Sequence, residues 1–204
     1  MFILKNKYFF IIENTRDIDL RNIKNSKKFC IIYRTSKIAK NIENLLRFRK
    51  SCKVKNIDFY VSNNVKLALA LKADGIYISA YNKDLGLCKF NKSNLKVIGS
   101  AHNLKEINTK NLQGCSSIIF SRLFKTSYKN KKDFLGIVKF NLFKLSRKEN
   151  LVPLGGIRLF NLNKLSYVKC NSFAISSEIK TNSKILSERL FWDAKKKGAK
   201  NRPF

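Results

Sequence analysis

Cations, hydroxyls, amides and glycines carry whatever chemistry this 204-residue chain has, and they stand just after short apolar runs. In chain order they are Arg34, then Ser62, Asn63 and Asn64, then Ser79 to Asn82, then Ser100, His102 and Asn103. Arg122, Lys125, Thr126, Ser127, Tyr128 and Lys129 follow, then Gly155 and Gly156, and finally Ser176 and Ser177. Carboxylates are almost missing from the set. Such a collection suits phosphate, because glycine lets backbone N–H groups approach an anion closely and a helix N-terminus adds its dipole. The same glycines serve equally as a tight turn, and the serines as helix caps. His102, the single histidine, has the chemistry of a general base or phosphate ligand. No Asp or Glu obviously orients it, and a helix-entry position also suits a histidine of no consequence.

The apolar runs explain why these residues belong together. Tyr8–Ile12, Phe29–Tyr33, Ile57–Val61, Gly75–Ile78, Leu95–Gly99, Ser117–Phe120, Leu151–Gly155 and Ser172–Ser176 are short and rich in β-branched and aromatic residues. Near-continuous apolar runs of this kind mark parallel strands buried on both faces. Between them, apolar residues recur at helical spacing: Ile38, Ile42, Leu45 and Leu46 over 37–51, and Val65, Ala68, Leu69 and Leu71 behind an Asn63 or Asn64 cap. Leu104, Ile107 and Leu112 behind Asn103 make a third helix, Ile137, Phe140 and Phe143 a fourth, and Ile185, Leu186, Leu190 and Phe191 the last. The stretch 13–28 is polar and has no clear helical pattern.

Eight strands alternating with helices predict an α/β fold, either doubly wound or an eight-stranded β/α barrel. The expectation is a single (β/α)8 TIM-type barrel over residues 1–194, followed by a short basic C-terminal tail over 195–204. In such a barrel the site lies at the C-terminal ends of the strands, where the polar residues named above fall.

Composition removes several classes. Hydrophobic residues make up 44% and aromatics 12%, which is too much for a disordered chain. No apolar stretch approaches the ~20 residues of a membrane span. Met1 to Lys5 does not open a secretory signal, so a cytoplasmic location is expected. Cys30, Cys52, Cys88, Cys115 and Cys170 are odd in number and form no Cys-x-x-Cys pair, which argues against a disulfide framework or zinc ribbon. No Gly-x-Gly-x-x-Gly follows the first strand, and no phosphate-loop Gly-Lys-Ser/Thr motif occurs. The charge of +30 fits a nucleic acid or a phosphorylated substrate. The joint excess of Lys, Asn, Ile and Phe fits A/T-rich codons equally well.

Collinear motifs add a family. Phe59 to Ile78, with Ser62-Asn63-Asn64-Val65-Lys66-Leu67-Ala68 and Ala73-Asp74-Gly75-Ile76-Tyr77-Ile78, resembles the thiamine phosphate synthase and thiazole tautomerase superfamily. Ser100-Ala101-His102-Asn103-Leu104-Lys105-Glu106 is similar to its Ser-x-His-x-Leu-x-Glu element. Phe124 to Lys129 with Leu135-Gly136 is similar to its Phe-x-Thr-x-Thr-Lys loop. Val152 to Ile157 with Asn161, and Phe173 to Ser177, resemble its Gly-Gly and closing Ser elements.

The resemblance implies a barrel that joins hydroxymethylpyrimidine diphosphate to thiazole phosphate, releasing diphosphate and forming thiamine phosphate by a dissociative route. It implies phosphorylated small-molecule partners and Mg²⁺ carried through the substrate diphosphate. Arg34, Asn63, Ser100, Thr126 and Lys129 match its diphosphate and pyrimidine positions. Gly155, Gly156, Ser176 and Ser177 match its thiazole-phosphate end. The family's two acidic metal ligands fall on Asn63 and Asn82, with Asp84 a substitute only if the loop carries a two-residue insertion. The Gln and Lys of its second-strand motif are Ile32 and Ser36 here, and the tautomerase histidine falls at Arg122. Two alternatives stay open on the residues alone: a catalytically degenerate barrel that binds a phosphorylated ligand, and a basic nucleic-acid-associated protein.

Overall fold

The computed structural model describes residues 6–23, 27–35, 42–87, 95–126 and 133–199. Eight parallel strands close on themselves in chain order: β1 (Lys7–Ile12), β2 (Phe29–Tyr33), β3 (Asp58–Ser62), β4 (Gly75–Ile78), β5 (Lys96–Ala101), β6 (Ser117–Ser121), β7 (Leu151–Leu154) and β8 (Ser172–Ile175). β1 pairs with both β2 and β8, which seals the barrel and leaves no edge. The helices are α1 (Ile42–Val54), α2 (Val65–Ala70), α3 (Leu104–Leu112), α4 (Gly136–Leu145) and α5 (Ser177–Ala199).

The two-residue period of each strand divides its apolar side chains between two cores. Phe9, Ile11, Cys30, Ile32, Tyr60, Tyr77, Ile98, Ile119, Val152 and Ala174 fill the barrel. Their neighbours Tyr8, Phe10, Ile31, Phe59, Ile76 and Phe120 belong to the outer layer, with helix residues such as Leu45, Ile107 and Phe140. A strand buried on both faces has no polar positions to alternate, which is why the runs read as continuous. Gly75 makes room inside: a Cβ there would lie 2.5 Å from Tyr60 Cε1. Arg49 of α1 ties the layers together, donating to Asp74 Oδ1 at 2.8 Å and Lys72 O at 3.1 Å, while Asp74 Oδ2 accepts from Phe59 N at 2.7 Å.

Some connections differ from the sequence expectation. The polar stretch after β1 forms two 3-10 turns, Thr15–Asp17 and Leu20–Asn22, and a 3-10 run over Leu159–Tyr167 joins β7 to β8. Short caps explain the first: Asn14 and Asp19 hold the N–H groups of Arg16 and Arg21 by their side chains, so the backbone turns tightly. α1 runs to Val54, beyond the expected end at 51, and residues 36–41 lie outside the described part. α5 departs from helical angles at Asn182 and then continues to Ala199, so it includes the first residues expected in the basic tail. No described helix is long and apolar enough to cross a membrane.

Candidate active site

A cavity of about 230 Å³ opens at the C-terminal ends of the strands. It brings together Arg34 after β2, Thr126 after β6, Gly155 and Gly156 after β7, and Ser176 and Ser177 after β8. His102, Ser121 and Arg122 complete the polar lining, and no Asp or Glu among the described residues contributes to it. Two guanidiniums in a carboxylate-free cavity favour an anion with several oxygens, since each guanidinium presents its donors in a planar fork.

The glycines act through close packing as well as through the cavity. The loop after β6 lies against the loop after β7, with Leu123 N donating to Leu154 O at 2.9 Å and Phe124 N to Gly155 O at 3.0 Å. Gly156 has φ +68°, and a Cβ on it would fall 2.6 Å from the Phe124 carbonyl oxygen. At Gly155, with φ +102°, a Cβ would meet the Arg122 Cβ at 3.0 Å. The tight turn and the approach to an anion are therefore one feature. Thr126 Oγ1 is buried with no hydrogen-bond partner among the described residues, a cost that a phosphate oxygen would remove.

Two residues hold this wall from behind. Asn161 accepts from Arg158 N at 2.8 Å and donates to Gly156 O at 2.8 Å. Glu178, 5% exposed, accepts from Arg158 Nη1 at 3.0 Å, Leu159 N at 3.2 Å and Asn182 Nδ2 at 3.1 Å. The sequence offered no signal for Glu178 except an acid in the first turn of a helix.

An open cleft of about 640 Å³ adjoins the cavity and shares His102, Ser121 and Arg122 with it. The absence of an acid to orient His102, expected from the sequence, is corrected here. Glu106 Oε2 lies 3.0 Å from His102 Nδ1 and accepts from the His102 main-chain N at 2.7 Å. The pair spans the entry to α3, so the relevant acid stood four residues away within the same motif. Burial pushes the Glu106 carboxyl up, but its bonds to His102 and Asn103 outweigh that and hold it below its ordinary range. Tyr81 stands beside the pair, its ring centroid 6.2 Å from that of His102.

Three expected residues are placed differently. Ser100 is buried at the end of β5 and lines neither space, Asn63 lies among amides after β3, and Lys129 lies outside the described residues. Asn63, in the left-handed region at φ 55°, accepts on Oδ1 from Ser79 N at 2.9 Å and Asn82 Nδ2 at 3.3 Å. Asn82 Oδ1 accepts from Asp84 N at 2.9 Å, and Asp84 Oδ1 from Gly86 N at 2.8 Å. Mg²⁺ asks for octahedral oxygen ligands, with carboxylates or phosphates prominent among them. These residues offer two neutral amides whose oxygens are engaged and one exposed carboxylate closing its own turn. Among the described residues no three His, Cys, Asp or Glu side chains form a metal-holding group. The donor set does not fit the ion expected from the resemblance.

Comparison with known proteins agrees with the collinear motifs. Residues 19–179 match the family model described as thiamine monophosphate synthase. The thiamine-phosphate synthase of Pelagibacter ubique strain HTCC1062 is 29% identical over 172 residues, covering 81% of this chain and 82% of its own. That of Prochlorococcus marinus strain SARG is 32% identical over 131 residues, covering 63% of this chain and 37% of its own. The chain thus spans about two-fifths of the length of the Prochlorococcus relatives. Among solved structures, a thiamine phosphate pyrophosphorylase from Pyrococcus furiosus superposes with TM-score 0.69 at 17% identity, covering 93% of this chain and 97% of that one. A 3-keto-L-gulonate-6-phosphate decarboxylase from Vibrio cholerae gives 0.62 at 11%, covering 93% and 96%. At such identities the superpositions speak for the barrel alone.

Proposed function

The chain belongs to the thiamine monophosphate synthase family, and from that premise we propose that it joins hydroxymethylpyrimidine diphosphate to thiazole phosphate, giving thiamine phosphate and diphosphate. The observation that carries the reading is the carboxylate-free cavity in which Arg34, Arg122, Thr126 and the Gly155–Gly156 pair converge. In the proposed reaction the C–O bond to diphosphate breaks with its electron pair leaving on the phosphate oxygen. The thiazole nitrogen then supplies its lone pair to the pyrimidine methylene carbon, with no net proton transfer. The protein's task is to stabilise charge on the departing diphosphate and to hold both partners in line.

Arg34 and Arg122 are the groups proposed to neutralise the leaving diphosphate, and Lys129, which lies outside the described residues, is proposed for the same task on the resemblance alone. The orphaned Thr126 hydroxyl would bond to a phosphate oxygen, at the usual reach of such donors, about 2.7–3.1 Å. Gly155, Gly156, Ser176 and Ser177 form the proposed thiazole-phosphate end, where backbone N–H groups and hydroxyls meet the anion. Asn63 and Ser100, placed outside the cavity lining, are proposed to shape the pyrimidine side. Phosphorylated small molecules are the partners this reading requires, and the cytoplasm is the proposed location. Thiamine phosphate formed from the two substrates, and diminished in Arg34→Ala, is the test; a degenerate barrel would bind thiazole phosphate and form none.

A further inference from the structure

The described part of the connection from β4 to β5, residues 79–87, is braced by a lysine. Lys110 of α3 is wholly buried, and its Nζ donates to the main-chain carbonyl of Asn82 at 2.7 Å and to Gln113 Oε1 at 2.7 Å. Gln113, equally buried, donates to the carbonyls of Asn82 at 3.0 Å and Asp84 at 2.9 Å. Three donated bonds thus converge on two carbonyls of one loop. Room for the lysine stem comes from Gly99 in β5, where a Cβ would lie 2.7 Å from Lys110 Cδ. The strand forgoes a side chain, and a long cationic side chain runs through the space.

This is the loop on which a divalent cation would have to rest, and apart from the exposed Asp84 carboxylate, one oxygen of which accepts from Gly86 N, the oxygens that face such an ion already accept hydrogen bonds. The Asn82 carbonyl holds Lys110 and Gln113, the Asp84 carbonyl holds Gln113, and the Asn63 and Asn82 side-chain oxygens hold Ser79 N, Asn82 Nδ2 and Asp84 N. Both acceptors of Lys110 Nζ are carbonyl oxygens, the partners that an ammonium, which has donors only, requires. An ammonium beneath the loop repels a dication above it, just as like charges do elsewhere at short range. Among the described residues the cavity meanwhile supplies two guanidiniums and no carboxylate that would need screening from an anion.

We propose that the β4–β5 connection is a lysine-braced loop standing in place of a divalent-cation site, so that this chain holds diphosphate through its own cations with no requirement for Mg²⁺. The proposal rests on the reading of the cavity as a diphosphate site. Lys110 is a positioning residue: it fixes the loop and keeps its carbonyls from a metal, without touching substrate.

Isothermal titration of inorganic diphosphate into the full chain, once with EDTA and once with Mg²⁺ in excess, tests it on the unmodified protein. The expected result is a dissociation constant in Mg²⁺ no tighter than that in EDTA beyond about threefold. Binding at least tenfold tighter in Mg²⁺ overturns the inference and leaves the diphosphate site standing. Failure to bind under either condition removes the diphosphate reading along with it. The lysine's part is tested separately in the Asn63→Asp, Asn82→Asp double variant, with Lys110 kept or changed to Met. The aspartates are expected to make binding Mg²⁺-dependent, and the dependence to rise at least fivefold when Lys110 is gone. An equal Mg²⁺ response with and without Lys110 overturns its role, because a merely structural lysine would change the melting temperature and not the metal response.

Discussion

Gly156→Ala and Gly136→Ala form a matched pair whose difference measures how tightly the loops after β6 and β7 are locked. Both glycines sit in the left-handed region, at φ +68° and +70°. An alanine in that region costs about 1–2 kcal/mol at either position. Their surroundings differ. Nothing lies within 4 Å of a Cβ on Gly136, whereas a Cβ on Gly156 would be 2.6 Å from Phe124 O and 2.7 Å from Phe124 C. Both of those atoms are backbone, so relief requires moving the loop that carries Thr126. Overpacking of that kind adds about 1–3 kcal/mol, giving about 2–5 kcal/mol for Gly156→Ala against about 1–2 for Gly136→Ala. For a domain of this length each kcal/mol lowers Tm by about 2–4 °C. Scanning calorimetry should therefore show a drop of several degrees for Gly136→Ala and a clearly larger one for Gly156→Ala. The stabilisation by inorganic phosphate should shrink in Gly156→Ala alone. Equal drops, with phosphate stabilisation intact in both, would refute the reasoning that this glycine exists to let two site loops touch.

Arg34→Ala and Arg122→Ala should each weaken diphosphate binding by about 1.5–3 kcal/mol, roughly 10- to 150-fold, the range for a hydrogen bond to a charged group; titration calorimetry reads it directly. Glu106→Gln should lose a pH-dependent part of stability. The folded carboxyl titrates below its ordinary 4.5, so its contribution is fully present above that value and is lost as pH falls through the folded pKa. The gap in Tm between the parent and Glu106→Gln should accordingly close on acidification below 4.5, and a gap constant with pH would count against the His102–Glu106 pairing. Glu178→Gln should destabilise by about 1–3 kcal/mol in urea unfolding, because its NH2 must face a donor, either Leu159 N–H or Arg158 Nη1, and Arg158 loses its charge partner. No change would mean that Arg158 and the helix entry are held by something else.

The strands were legible in the sequence because a barrel strand is buried on both faces and cannot alternate. Ile31–Tyr33 or Phe59–Val61 could scarcely be anything else. Helix positions followed from spacing and caps, and Asn64 and Asn103 do accept from Leu67 N and Glu106 N. What stayed hidden depends on tertiary contact. The start of the 3-10 run at Leu159–Tyr167 is held by Asn161 within it and by Glu178 from the head of α5. Glu106 was visible as part of a motif, yet its hold on His102 depends on the i, i+4 geometry of a helix entry. Lys110 carries no mark in the sequence, since its burial arises from a glycine on a different element. A glycine inside an otherwise apolar strand was the available signal, because it marks a place where something approaches closely. Asn63 is drawn to Ser79 and Asn82 after β4, and Ser100 is buried within β5, so neither lines the cavity.

The central claim is best tested by mixing the protein, in molar excess, with hydroxymethylpyrimidine diphosphate and thiazole phosphate, and following thiamine phosphate and released diphosphate together in one turnover. The expected result is equimolar appearance of the two products, slowed strongly in Arg34→Ala. Well-folded protein that binds diphosphate yet releases no thiamine phosphate would contradict the account and leave a barrel that holds phosphates without joining them.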